Sequence, residues 1–157
     1  MLALGSILAF PTIAKADNPG DVFFNGTIAQ ACDFTEIEDG TLGLADSSTL
    51  SSLATGGAAG SAELVCNTLL ATVSVDAPAV DSAPADYVDA NAVKTATVVG
   101  GTINLALNAG DTQVSVPSAA VTLAPLPLVV NMTATTPGEA LPAGDYVYFV
   151  RLSATAL

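Results

Sequence analysis

Four carboxylates fall within seven residues, Asp33, Glu36, Glu38 and Asp39. Paired carboxylates are the acid and base of glycoside hydrolysis, and clustered ones can ligate calcium. The spacing here is not that of a calcium loop, and Phe34 is the only nearby aromatic able to hold a sugar ring. The cluster therefore reads as a solvated loop. A serine nucleophile needs a base, and the chain has no histidine. That removes the usual general base, the usual metal ligand and the usual pH switch together. Lys94, the remaining option, sits in an apolar run without a Ser-x-x-Lys pattern. Gly56-Gly57-Ala58-Ala59-Gly60 lacks the lysine and helix of a phosphate-cradling loop. No catalytic residue, cofactor site or metal site is expected, and the chain is not expected to be an enzyme.

Charge narrows the partners. Fifteen acidic residues face three basic ones, Lys15, Lys94 and Arg151, for a net charge of −12. Such a surface cannot neutralise phosphates, so nucleic acid is excluded as a partner. It disfavours anionic lipid as well. It favours solubility and repulsion between free copies, so copies that do assemble need strong backbone or apolar contacts.

Leu2–Ala14 is an apolar run ending in Ala14-Lys15-Ala16, an A-x-A pattern ahead of polar Asp17-Asn18-Pro19-Gly20. It reads as a secretory signal over 1–16, cleaved after Ala16, although no cation precedes the run. The alternative is an apolar segment retained in the mature protein. A membrane span is disfavoured, because the run is short of about 20 residues and Pro11 interrupts it. In an exported chain, Cys32 and Cys66 form an obvious pair. They lie 34 positions apart, and closing such a loop contributes on the order of 3–4 kcal/mol. Two reduced buried thiols are the alternative.

The elements that must carry these residues are strands. Val22, Phe24, Gly26, Ile28, Cys32 and Phe34 share one face of a period-two pattern. Ala62, Leu64 and Cys66 do the same, which points both cysteines inward. Further strands are expected at Thr41–Leu44, Leu69–Val75, Val93–Val99, Ile103–Leu107, Val114–Val116, Val121–Leu123 and Leu128–Met132. A last one carries Tyr146, Tyr148, Val150, Leu152 and Ala154 on one face. Gly100-Gly101 marks a hairpin, most prolines mark connections, and no window makes a convincing helix. Ser47–Ser61 reads as a flexible loop and Asp76–Asn91 as a solvated acidic one. Short strands with regular turn signals predict an all-β sandwich over 17–157.

Gly20-Asp21-Val22-Phe23-Phe24-Asn25-Gly26-Thr27-Ile28, followed by Cys32, resembles the opening of chaperone–usher pilins, and Cys66 stands where their second cysteine falls. Leu141-Pro142-Ala143-Gly144-Asp145-Tyr146 and the strand after it resemble the end of pilins and of spore-coat-U-like secreted proteins. The resemblance implies an incomplete immunoglobulin-like sandwich, completed by a strand from a neighbouring copy. It implies a bacterial extracellular filament that mediates adhesion, with copies joined head to tail. A periplasmic chaperone and an outer-membrane usher would be further partners. Val22, Phe24, Gly26 and Ile28 would be the donated residues, and Leu2–Ala14 the alternative donor. Tyr146, Tyr148, Val150 and Leu152 would border the acceptor edge. A self-contained secreted sandwich that binds a ligand is the competing reading.

Overall fold

The computed structural model describes residues 25–157, and Val22 and Phe24 lie outside them, as does the 1–16 segment. Among the described residues the fold is all-β, with one turn of 3-10 helix at Asp89–Asn91. The strands are β1 (Cys32–Glu38), β2 (Gly43–Asp46), β3 (Thr49–Ser51), β4 (Gly60–Cys66), β5 (Leu70–Asp76) and β6 (Ala79–Ser82). They continue with β7 (Val93–Gly100), β8 (Ile103–Leu107), β9 (Gln113–Ala120), β10 (Leu126–Thr135), β11 (Val147–Phe149) and β12 (Leu152–Ala156).

All pairings are antiparallel. The largest sheet runs β1-β4-β10-β3-β2, with β7 on the opposite side of β10 and β8 beyond it. Strand β10 is long enough to pair β4 through Leu126–Val130 and β3 through Thr133–Thr135 along one side, while Val129–Thr135 pairs β7. A second layer runs β12-β5-β9, and β11 pairs β6 as a continuation of the β12–β5 ribbon. Alternation in β4, β5, β8 and β10 sends Leu64, Val73, Val75, Ile103, Leu105, Leu107 and Leu128 between the layers, where they are fully buried.

Several sequence expectations are corrected. Among the described residues the first strand begins at Cys32, and Gly26 and Ile28 lie in exposed chain outside the sheets. Their alternation is real, but no described strand pairs with them. The last strand is two, because β11 ends at Phe149 and β12 starts at Leu152, with Val150 and Arg151 between. Tyr146 precedes β11. Val121–Leu123 is not a strand, since Pro125 follows and the chain must cross between layers. Pro117 and Pro127 lie inside strands rather than between them. Pro117 is on β9, at a sheet edge, where the register slips between Val116 and Ala119. Pro127 precedes the part of β10 that pairs β7, so only one side is laddered there.

The Ser/Gly-rich 47–61 segment holds β3, and Ser51 and Ser52 are buried. Hydroxyl pairs fasten β3 to β10, Thr49 to Thr135 at 3.2 Å and Ser51 to Thr133 at 3.1 Å, and Ser52 Oγ donates to Asn131 Oδ1 at 2.9 Å. The acidic 76–91 segment likewise holds β6 and the 3-10 turn. The Gly100-Gly101 hairpin forms as expected, with Gly101 at φ 55° supplying the left-handed turn conformation.

Candidate functional site

Cys32 and Cys66 are direct cross-strand partners on β1 and β4 and form a disulfide, with Cα atoms 4.1 Å apart. Among the described residues β1 is the outermost strand of its sheet and pairs only β4, so this bond fastens an edge that backbone bonds hold from one side. Across the sandwich, β12 is the outermost strand of the other layer. Among the described residues no strand covers its outer side.

The two sides of the sandwich differ. At the β8/β9 side the layers close on one another: Ile103, Leu105 and Leu107 are 0–2% exposed. Thr102 Oγ1 there donates across to Ala120 O at 2.7 Å. At the β1/β12 side the inward residues Phe34, Leu42, Val130, Tyr148, Val150 and Leu152 are only half-buried. They line a groove of about 760 Å³ that runs from the second half of β1 past β11 to the start of β12. Its floor is apolar, with Ala62 and Met132 completing it, while Glu38, Asp39 and Asp81 stand on its rim.

Of the sequence-predicted acceptor residues, Tyr146, Tyr148, Val150 and Leu152 all line this groove. The donor candidates Gly26 and Ile28 do not, and Ile28 is 88% exposed. The carboxylates divide: Glu38 and Asp39 are on the rim, whereas Asp33 Oδ1, within β1, accepts from the adjacent Phe34 N–H at 2.9 Å. Among the described residues no group of His, Cys, Asp or Glu is arranged to hold a metal ion.

Sequence reasoning missed the tyrosine cluster at the β11 end. Tyr87 stacks edge-to-face on Tyr146 with centroids 5.1 Å apart, and its hydroxyl pairs with that of Tyr148. Tyr146 Oη donates to Pro142 O at 2.7 Å. Nearby, Lys94 Nζ donates to Asp89 Oδ2 at 2.7 Å, so this cation is already paired. Arg151 lies over the Phe149 ring, 5.6 Å from its centroid. The signal in the sequence was slight: Tyr87 sits in a stretch that reads as acidic loop, 59 and 61 positions from its partners.

Burial, then the hydrogen bond shared with Tyr87, pushes ionisation of the Tyr148 phenol far above the ordinary tyrosine range. Tyr146 is shifted the same way, chiefly by desolvation. A raised phenol pKa means that the folded state favours the neutral ring. That contribution is complete below about pH 10, where a free tyrosine begins to ionise, and declines as pH rises beyond it. Ultraviolet titration of the folded chain should therefore show phenols that stay protonated well above pH 10 and ionise on unfolding. Tyr148→Phe should remove part of that delayed signal; an unchanged titration would contradict the placement of Tyr148.

Among the described residues no helix is long and apolar enough to cross a membrane. Neither the protein-family models nor the curated proteins nor the solved structures contain a match to this chain.

Proposed function

We propose that this protein is a structural subunit of an extracellular filament, in which the groove between β1 and β12 takes up an apolar strand from a neighbouring copy. The observation that carries the reading is the groove itself, half-buried apolar side chains below a strand edge that no described strand pairs. Such an edge is an open template for another strand. Strand addition satisfies its backbone groups and seats alternate side chains in the floor.

The strand order supports the same reading. An immunoglobulin-type sandwich places strands A-B-E-D in one sheet and C-F-G in the other. Here β1-β4-β10-β7 follows A-B-E-D in both position and chain order, and β5 with β12 follows C and F. The place of G is the outer side of β12. The donor that fits is Val22, Phe24, Gly26 and Ile28, of which the described pair, Gly26 and Ile28, is exposed and outside its own sheets. One copy's donor in the next copy's groove is a head-to-tail contact that does not close, and it grows a filament. Secretion through a periplasm, with a chaperone guarding the groove and an usher at the outer membrane, belongs to this reading, as does a role in adhesion. The formed disulfide fits an oxidising compartment. The reading assigns the protein no catalytic role and no cofactor.

Deleting Asp17–Phe24 tests it. The expected product is a folded monomer, where the full-length chain gives stable multimers in size-exclusion chromatography. Multimers that persist in the deletion variant would rule out this donor. A full-length chain that stays a stable monomer would favour a self-contained ligand-binding sandwich, whose ligand would occupy the same groove.

A further inference from the structure

The end of the sandwich that carries the disulfide is the end from which the 25–31 segment leaves. Asn67, in the β4–β5 turn, grips that segment. Its Nδ2 donates to Ala29 O at 2.8 Å, its Oδ1 accepts from Ala31 N at 2.7 Å, and its backbone N–H donates to Ala31 O at 3.0 Å. Beside this clamp, Leu69 and Leu123 are 64% and 66% exposed, and Leu70 is partly exposed. The Val121 N–H donates to Leu69 O at 3.0 Å, tying the 121–125 loop that carries Leu123 to the turn that carries Leu69. Segments 25–31, 66–71 and 120–126 contain no charged residue. Leu157 lies at the same pole, its N–H donating to Leu70 O at 3.0 Å. In a chain of net charge −12, these segments bring no charged side chain to a contact between copies.

Resting on the groove reading above, we infer that this apolar pole packs against the rim of the neighbouring copy's groove, so that Leu69, Leu70 and Leu123 are buried at each junction. If Ile28 ends the donated strand, only Ala29–Ala31 separate it from Cys32 of its own fold. Four residue steps span at most about 14 Å even when fully extended. Asn67 shortens the tether further by holding Ala29 and Ala31 against the turn. The donating copy therefore cannot stand off from the acceptor, and its pole must lie on the groove rim. The occupant of the apolar surface is a second copy, brought there by its own arm. Asn67 is a positioning residue that sets the direction in which the arm leaves.

Two variants test the inference, Leu69→Asp/Leu123→Asp and Asn67→Ala, each measured in two ways. A synthetic peptide of residues 18–28 should bind the groove of chains truncated before Ala29 equally well, within about twofold, whether or not they carry the substitutions. Full-length multimers of the variants should dissociate on dilution at least about tenfold faster than the parent, because carboxylates are forced into an apolar contact or the tether is released. Amide exchange at Leu69 and Leu70 should be slower in parent multimers than in truncated monomers. If the peptide binds but variant multimers dissociate at the parental rate, the pole contact is wrong and the groove reading stands. If the peptide fails to bind the parent groove, both fall. If the variants weaken peptide binding as much as multimer stability, the pole has no separate role and the inference is overturned. The substituted side chains are exposed, and an unchanged melting temperature of the truncated variants checks that folding is intact.

Discussion

Replacing Cys32 and Cys66 by serine should lower the unfolding free energy by about 2–5 kcal/mol, read as a shift in denaturant midpoint. The chain-entropy model assigns on the order of 3–4 kcal/mol to a bond that closes 34 residues. In this fold the bond has a second consequence, because β1 is an edge strand paired only to β4. Cys66 is 3% exposed and joins the core cluster, so losing the bond also loosens Phe34 and the groove wall above it. The double variant should therefore show faster amide exchange at Asp33–Thr35 than at Leu128, deep in β10. A midpoint unchanged from that of the parent would contradict this role for the disulfide.

Much of the sandwich could be read from the chain. Where apolar alternation is flanked by strong turn residues, as in Val93–Gly100, Gly101-Thr102 and Ile103–Leu107, strand and hairpin follow nearly residue by residue. The inward pointing of both cysteines was legible from the same alternation. Other features were hidden for physical reasons. Period two shows that a segment can pair on one face, but not which sheet it joins, and Gly26 and Ile28 alternate without lying in a sheet of the described residues. Short strands such as β3 and β6 sit in Ser- and Asp-rich sequence because tertiary hydrogen bonds hold them in place: Ser51 and Ser52 bond β10, and β6 extends the β12–β5 ribbon. Pro117 violates the rule that strands avoid proline only until its edge position and the register slip are seen. Tyr146, Tyr148, Val150 and Leu152, which line one groove, were legible one by one as a single face of alternating residues. That Tyr87 comes from the far 83–92 segment to meet Tyr146 and Tyr148 was not, because such a contact depends on chain crossing rather than on local pattern.

Filling the groove should produce the other large effect. The half-buried floor of Phe34, Leu42, Val130, Tyr148, Val150 and Leu152 is incompletely desolvated in the single chain. Each apolar side chain seated there removes water from both surfaces, at roughly 25 cal/mol per Å². The open edge of β12 gains ladder hydrogen bonds at the same time, each worth about 1 kcal/mol net. A ligand that binds only the folded state at 100 times its Kd stabilises it by about 2.7 kcal/mol. For a domain of this size that corresponds to a rise in melting temperature on the order of 10 °C.

The most direct measurement is the melting temperature of the chain truncated before Ala29, titrated with a peptide of residues 18–28. The account predicts a saturable rise on the order of 10 °C. The rise should be lost when Phe24 and Ile28 of the peptide are changed to aspartate. A melting temperature indifferent to the parent peptide at high excess would contradict the claim that this groove is completed by a neighbour's strand.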